Sequence, residues 1–311
     1  MVEESETGQA TASAPATASV FAFSAVAPPP RPEPAEDIEI DDEAYLEMDR
    51  LDYAHAMMVK AMGSVLFRAP LQKEKVRRIL DIGTGTGIWA IEMGETFENA
   101  EVLGIDLSAI MPELPPNVKF EIDDIEQRWV GRRKFDFIFC RYMGASIKDW
   151  PKLMNNIYHH LAPGGWAEFQ DVNTSFYSQD GTYTEDTATC KWMTAFMEAC
   201  SATGRDPSVG AKLEGWVRDA QFQNVVANRV RAPLGPWPRD PWYCELGMMN
   251  MILTLNGLEA LSLKLFSEML GKSQAEIEAQ LANVREELMS NTFHAMFDIH
   301  VVYGQKPVNP W

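Results

Sequence analysis

A chain of 311 residues, 46% of them hydrophobic, is long enough to bury a full core in one large domain or in one domain with an insert. Its formal charge of −18 is spread unevenly: residues 1–43 hold ten acids and one base, against 35 acids and 26 bases in the rest. A nucleic-acid substrate is disfavoured, because neutralising phosphates needs a basic stripe and none is visible beyond Arg132-Arg133-Lys134, which reads as a solvated turn.

Residues 1–37 are rich in Ala, Thr, Ser and Pro, with Pro28-Pro29-Pro30 and no apolar period, so a disordered acidic, Pro-rich tail is expected over 1–40. Val20, Phe21 and Phe23 form a short candidate docking motif within it. The acidic start and the lack of 18 uncharged apolar residues in a row argue against a signal peptide or a membrane span. The most apolar window, 246–258, is interrupted by Asn250, Asn256 and Gly257. A folded domain is expected over 41–306, followed by a tail at 307–311. It opens with a helical segment over 41–70, with Leu51, Ala54, Met58 and Met62 on one face and Asp49, Arg50 and Asp52 off it.

The core is expected over 76–235, and its centre is residues 76–107. Ile79, Leu80 and Ile82 are an apolar run carrying Asp81; Gly83-Thr84-Gly85-Thr86-Gly87 follows, and Ile88, Trp89 and Ile91 begin a helical pattern. That is strand, tight turn, helix. A second run over 102–105 ends in Asp106, at the distance of a βαβ unit of roughly 30 residues. Glycines on alternate positions let the backbone pass close to a ligand, and the helix N-terminus offers unpaired N–H groups. An acid at the end of the next strand can take both hydroxyls of a ribose, so a nucleoside-containing cofactor is implied. A dinucleotide site wants G-x-G-x-x-G, whereas Ile88 follows Gly87 here and the spacing is G-x-G-x-G. Asp81, two residues before the first glycine, suits an ammonium better than a pyrophosphate. S-adenosylmethionine has that ammonium, a ribose and no phosphate. A P-loop is dismissed as well: Leu270-Gly271-Lys272-Ser273 lacks the earlier glycine, and no lysine follows Gly87.

Further along, a Pro-studded loop over 111–116 leads to strand three (118–122) and then Asp123-Asp124-Ile125. Residues 135–140 are nearly all apolar, as in a parallel strand buried on both faces, and deliver Arg141, Tyr142 and Met143 to the carboxyl edge. Pro151 opens a helix that Pro163-Gly164-Gly165 ends, with His159 and His160 suited to its C-terminus. Residues 166–169 read as strand five, from which Gln170 and Asp171 emerge on the cofactor side, with Asp171 a candidate substrate-facing acid. Trp192, Met193, Phe196, Met197 and Cys200 form one core stripe; Val209, Leu213, Trp216, Val217 and Ala220 form another. Residues 224–230 read as strand six. A helical insertion is expected over 236–292, with one or two helices over 244–270 and a last one started by a Ser273/Glu276 capping box. Strand seven closes the sheet within 293–306. Cys140, Cys190, Cys200 and Cys244 lack metal-site spacing, so neither a zinc site nor a disulfide framework is expected.

The segment DIGTGTG with an acid ending the next strand resembles motifs I and II of the class I S-adenosylmethionine-dependent methyltransferases. More narrowly, DIGTGTGIWAIEMG, GIDLS, PPNVKFEIDDIEQRW, FDFIFCRYM, DWPKL and HLAPGGWAEFQD resemble the fungal LaeA-like methyltransferases, over about residues 44–306. The resemblance implies an α/β, Rossmann-like seven-stranded sheet, with the insertion between strands six and seven folding over the carboxyl edge as a lid. Trp237, Trp242, Tyr243, Met248, Met249 and Met251 would line an apolar substrate pocket there. It implies a leading helix that caps the cofactor pocket, with Tyr53 or His55 near the substrate. It places the cofactor on Asp81, Gly83, Thr84, Gly85, Gly87, Asp106 and Leu107, with Asp124 (or Asp123, one residue earlier) on the adenine amino group. Ile125 would cover the ring and Arg141 would line the methionine end.

No catalytic residue and no metal is named, although His55 and Asp171 are candidates for a base. The reading that follows is an S-adenosylmethionine-dependent methyltransferase of a small, secondary-metabolite-like acceptor, located in the cytoplasm, with no nucleic-acid or membrane partner. Its competitor is a LaeA-like regulator that works through protein partners, with the nucleus as its compartment; a dinucleotide-dependent dehydrogenase is disfavoured by the glycine spacing.

Overall fold

The computed structural model describes residues 42–108, 114–129 and 131–308. The tail expected over 1–40, residues 111–113 of the Pro-studded loop, and 309–311 of the tail expected over 307–311 lie outside the described residues. Strands β1 (Arg78–Ile82), β2 (Glu101–Asp106), β3 (Val118–Ile122), β4 (Phe135–Arg141), β5 (Leu161–Tyr177), β6 (Gln223–Pro233) and β7 (Met296–Gln305) form one sheet. Its order is β3-β2-β1-β4-β5-β7-β6, parallel from β3 to β5 and antiparallel where β7 joins β5 and β6. The order reverses between β1 and β4, the place where open α/β sheets bind ligands.

Helices α1 (Asp42–Ala61), α2 (Ile88–Thr96), α3 (Trp150–His160), α4 (Ala188–Ala202), α5 (Leu213–Asp219), α6 (Pro241–Leu270) and α7 (Gln274–Ser290) cover the sheet and extend beyond it. On one face α3 and α5 bury Leu153, Ile157, Leu213 and Val217 against Leu80, Ile138 and Phe169. On the other, α2 buries Trp89 and Met93 against Ile79, Phe137 and Phe139, with the Trp89 and Phe139 rings stacked at 3.9 Å and 4°. Beside it, Met57 and Met58 of α1 and Leu246 of α6 meet Phe297, Ile299 and Val301 of β7.

The elements depart from expectation in three places. The leading helix ends at Ala61 rather than 70, because Gly63 and Ser64 take left-handed φ of 75° and 62° and the Ser64 amide closes back onto the Val59 carbonyl at 2.9 Å. Strand β5 is 17 residues long, not four. Phe135 pairs with Leu161 and Phe137 with Trp166, so Pro163-Gly164-Gly165 belongs to a bulge inside the strand, and pairing with β7 continues to Tyr177.

The third departure concerns the insertion. Residues 244–270 lie within one continuous helix, α6, capped by Asp240, whose side chain accepts from the Trp242 and Tyr243 amides. Alpha-helix α7 has the expected capping box at Ser273 and Glu276. These two helices share their core with α4, which enters from between β5 and β6: Trp192 and Phe196 pack with Phe266 and Leu281. Trp192 Nε1 donates to Ser262 Oγ at 2.8 Å, and the Glu287 carboxylate accepts from the Ala188 and Thr189 amides at 3.0 and 2.7 Å. The helical unit is therefore built from two insertions, not one. Helix α6 is also long and apolar enough to cross a bilayer by length and composition alone, at mean hydropathy 1.2, and here it packs along α1, α4 and α7.

Gly247 is what lets α6 reach the sheet edge. The Gly235 amide donates to its carbonyl at 2.9 Å, and a Cβ on Gly247 would fall on the Gly235 carbonyl oxygen. Gly257, in the same helix, would meet only ordinary contacts, the nearest at 3.4 Å. Alanine gains about 1 kcal/mol of helix propensity at either position, but overpacking against backbone costs about 1–3 kcal/mol. Urea unfolding should therefore show Gly247→Ala destabilised and Gly257→Ala neutral or stabilised.

Candidate functional site

The site is assembled where β1 and β2 end. The Gly83 and Thr84 amides both donate to the Ile105 carbonyl, at 2.9 and 3.0 Å, folding the glycine-rich turn back onto the end of β2. Gly83 and Gly87 take φ of 67° and 82°, a region that side chains disfavour, and neither has room for a Cβ: the Met143 thioether lies against Gly83 and the Phe120 ring against Gly87. The Gly87 carbonyl then accepts from Ile91 to begin α2.

Two acids flank this turn in different environments. Asp81 is 3% exposed, and its Oδ2 accepts from Thr84 Oγ1 at 2.6 Å. Burial lifts its pKa to about 7, against the opposing pull of the Thr84 bond and the Arg141 charge. Asp106 accepts from the Gly85 amide at 2.9 Å and the Ser108 amide at 3.1 Å. Beside it, Leu107 and Ile122 project 73% and 66% exposed from the ends of β2 and β3. Two bare aliphatic side chains next to a carboxylate make an edge suited to a flat apolar group carrying hydroxyls.

Asp123 and Asp124 follow in a tight local turn. Asp123 Oδ1 accepts from the Asp124 amide, and Asp124 accepts from the Gln127 side chain and the Glu126 amide, bonds that hold its carboxyl below the usual range. Ile125 is 8% exposed and lies in the core cluster with Leu103 and Ile147. Ile125 thus lies in the core beside this edge, while the exposed apolar side chains at the edge are Leu107 and Ile122, and Ile122 was not singled out from the sequence.

Arg141 ends β4 one residue beyond Cys140, the partner of Ile82, and so stands beside Gly83. Its Nη2 lies 2.8 Å from His55 Nδ1, and His55 Nε2 lies 3.0 Å from Glu92 Oε2. Helix α1 thus crosses the turn, with Leu51 Cδ1 3.5 Å from where a Gly85 Cβ would sit and Asp52 accepting from Thr86 Oγ1 at 2.5 Å. A cavity of about 430 Å³ opens alongside, lined by Asp52, His55 and Val59 of α1, Ile88 and Glu92 of α2, and Met249 of α6. The sequence marked His55 as a residue near the substrate and a candidate base; its two partners lie 37 and 86 residues away, and no local pattern announces them.

Neither candidate base is free. Both ring nitrogens of His55 are engaged. Asp171, 3% exposed, accepts from the Met143 and Val172 amides at 2.9 and 2.8 Å and from the Gly144 amide. Side chains alternate along a strand, so Gln170 faces the α1 side with Glu168, while Asp171 faces the α3 side with Phe169. What Asp171 does is hold the loop after β4, where Tyr142 sits at a left-handed φ of 55°. Among the described residues no three His, Cys, Asp or Glu side chains are grouped as a metal site would need.

The aromatic and Met residues expected to line one substrate pocket are dispersed. Trp237 donates to the Ala295 carbonyl at 3.2 Å, Met251 packs in the helical unit, Trp242 and Met249 pack in the α1–α6 core, and Tyr243 and Met248 are 43% and 44% exposed. A single apolar pocket formed by all six is not what the insertion builds.

Asp171→Ala should act on stability, because it strands three backbone donors at about 1–3 kcal/mol for each buried unsatisfied group. Urea unfolding is expected to show a loss of at least about 2 kcal/mol, against little change for a substitution of exposed Asp123.

A methyltransferase domain family model matches residues 53–227. Methyltransferase pytC of Aspergillus terreus is 43% identical over 263 residues, covering 84% of this chain and 81% of the relative. Secondary metabolism regulator LAE1 of Cochliobolus heterostrophus is 33% identical, covering 84% and 87%. Probable methyltransferase tdiE of Emericella nidulans is 32% identical, covering 86% and 84%. With the class I strand order and the G-x-G-x-G turn between Asp81 and Asp106, these matches carry one conclusion: the chain belongs to the methyltransferase domain family and is an S-adenosylmethionine-dependent methyltransferase related to fungal enzymes and regulators of secondary metabolism.

Proposed function

We propose that the chain methylates a small-molecule acceptor of the secondary-metabolite kind. The observation that carries the cofactor half of this reading is the edge formed by Asp106, Leu107 and Ile122. In it Asp106 takes the ribose hydroxyls, Leu107 and Ile122 cover the adenine, and Asp124 accepts from the adenine amino group. The backbone of Gly83, Thr84, Gly85 and Gly87 gives the amino-acid arm room to pass, with its ammonium on Asp81 and its carboxylate toward Arg141. A carboxyl already lifted to about 7 by burial becomes a carboxylate once an ammonium replaces the missing solvent.

When bound, the cofactor supplies a methyl on a sulfonium carbon with a thioether as leaving group. The residues of the chain have to align that carbon with the acceptor and keep water out; orientation of this kind is worth about 7–11 kcal/mol in favourable cases. With His55 and Asp171 both tied into structural bonds, no base from this pair is assigned, which suits an acceptor that is already nucleophilic.

Support for a methyltransferase over a regulatory role comes from the 43% identity to methyltransferase pytC, against 33% to regulator LAE1. The similarity to LAE1 keeps one alternative in view, a regulator acting on protein partners. Purified chain with methyl-labelled cofactor should label a component of a fungal small-molecule extract and leave a nuclear protein extract unlabelled, with Asp106→Ala labelling neither. Label confined to the protein fraction would overturn the proposal in favour of the regulator.

A further inference from the structure

The Arg141 guanidinium is held in an unusual way. Among the described residues no carboxylate lies within 4.0 Å of it, and its one hydrogen bond goes to an imidazole. Burial disfavours its charge, and the Phe139 ring lies 5.6 Å from its central carbon. Arginine has donors and no acceptor, so His55 Nδ1 must be the acceptor. That assigns the ring proton to Nε2, where it is donated to Glu92 Oε2. A carboxylate in place of His55 would fix the guanidinium equally well, but it would cancel the charge and occupy two donors. A neutral imidazole fixes the direction and leaves the charge and the remaining donors for something else. Glu92, 41% exposed and bonded to the far nitrogen, makes the imidazole a better acceptor, as second partners do for histidines that ligate metals.

We propose that His55, backed by Glu92, is the positioning residue that aims Arg141 at the carboxylate of the cofactor's amino-acid arm. Grip on that arm is thereby coupled to the docking of α1 across the glycine-rich turn. The inference rests on the placement of the cofactor given above. It also assigns the relay a selective role: it acts on the amino-acid arm and not on the nucleoside, which is held on the other side of the turn by Asp106.

Calorimetric titration of the full chain with S-adenosylhomocysteine, and with 5′-methylthioadenosine, which has the same nucleoside and no amino-acid arm, separates these contributions. His55→Leu keeps the bulk and removes the acceptor; it should weaken S-adenosylhomocysteine about tenfold, the worth of one hydrogen bond to a charged group, and leave 5′-methylthioadenosine within about twofold. His55→Asn, which returns an acceptor oxygen near the Nδ1 position, should recover most of the loss. Glu92→Leu, at a half-exposed position that tolerates change, should show a smaller loss of the same arm-selective kind even where His55→Leu folds poorly. Arg141→Leu is the control on the site itself: if it fails to discriminate between the two ligands, the placement of the cofactor falls. If Arg141→Leu discriminates while the His55 and Glu92 variants do not, or weaken both ligands equally, the positioning role falls and the relay merely fastens α1.

Discussion

Everything at this site depends on one carbonyl oxygen. Ile105, near the end of β2, accepts from the amides of two consecutive residues of the glycine-rich turn, Gly83 and Thr84. Both amides can converge only because Gly83 adopts a left-handed conformation without a side chain, where the Met143 thioether already fills the space. From that closure the rest follows: Thr84 is placed to donate to Asp81, Gly85 to donate to Asp106, and Gly87 to start α2. Two carboxyls end up on either side of one turn, one buried and lifted toward neutrality, the other at the edge and accepting from backbone.

A parallel strand sends alternate side chains to opposite faces, and that alternation assigns the polar groups their work. On the α1 side Arg141, Glu168 and Gln170 form a polar layer; α1 joins it through His55 and meets the turn through Asp52, which accepts from Thr86. On the α3 side Asp171 spends its oxygens on the loop that follows β4. The helical unit of α4, α6 and α7 stands apart with its own core and reaches the site through the first half of α6, where Met249 lines the cavity beside α1.

Much of this was legible in the residues, for local reasons. Glycine spacing, a strand before it and an acid after it are short-range signals, and they located the turn, Asp81 and Asp106. The parallel strands also declared themselves, because strands buried on both faces are continuous apolar runs such as residues 135–140. What escaped was non-local or a matter of facing. Gln170 and Asp171 are adjacent in sequence and opposite in space, so treating them together misplaced Asp171. Nothing in 162–165 says that a Pro-Gly-Gly stretch forms a bulge rather than ending a strand; only the pairing on both sides of it does. The Met-rich stretch of α6 reads equally as pocket lining or core, and the three side chains go separate ways: Met248 is exposed, Met249 packs beside α1 and lines the cavity, and Met251 packs in the helical unit. The bond from His55 to Arg141 spans 86 residues and has no sequence signature at all.

The most direct measurement is a crystal structure of the full chain with S-adenosylhomocysteine. The expected result has both ribose hydroxyls within hydrogen-bond distance of the Asp106 carboxylate, the adenine between Leu107 and Ile122, and the amino group on the Asp81 side of the turn. A crevice left empty at saturating ligand, or one that accepts a nicotinamide dinucleotide instead, would contradict it.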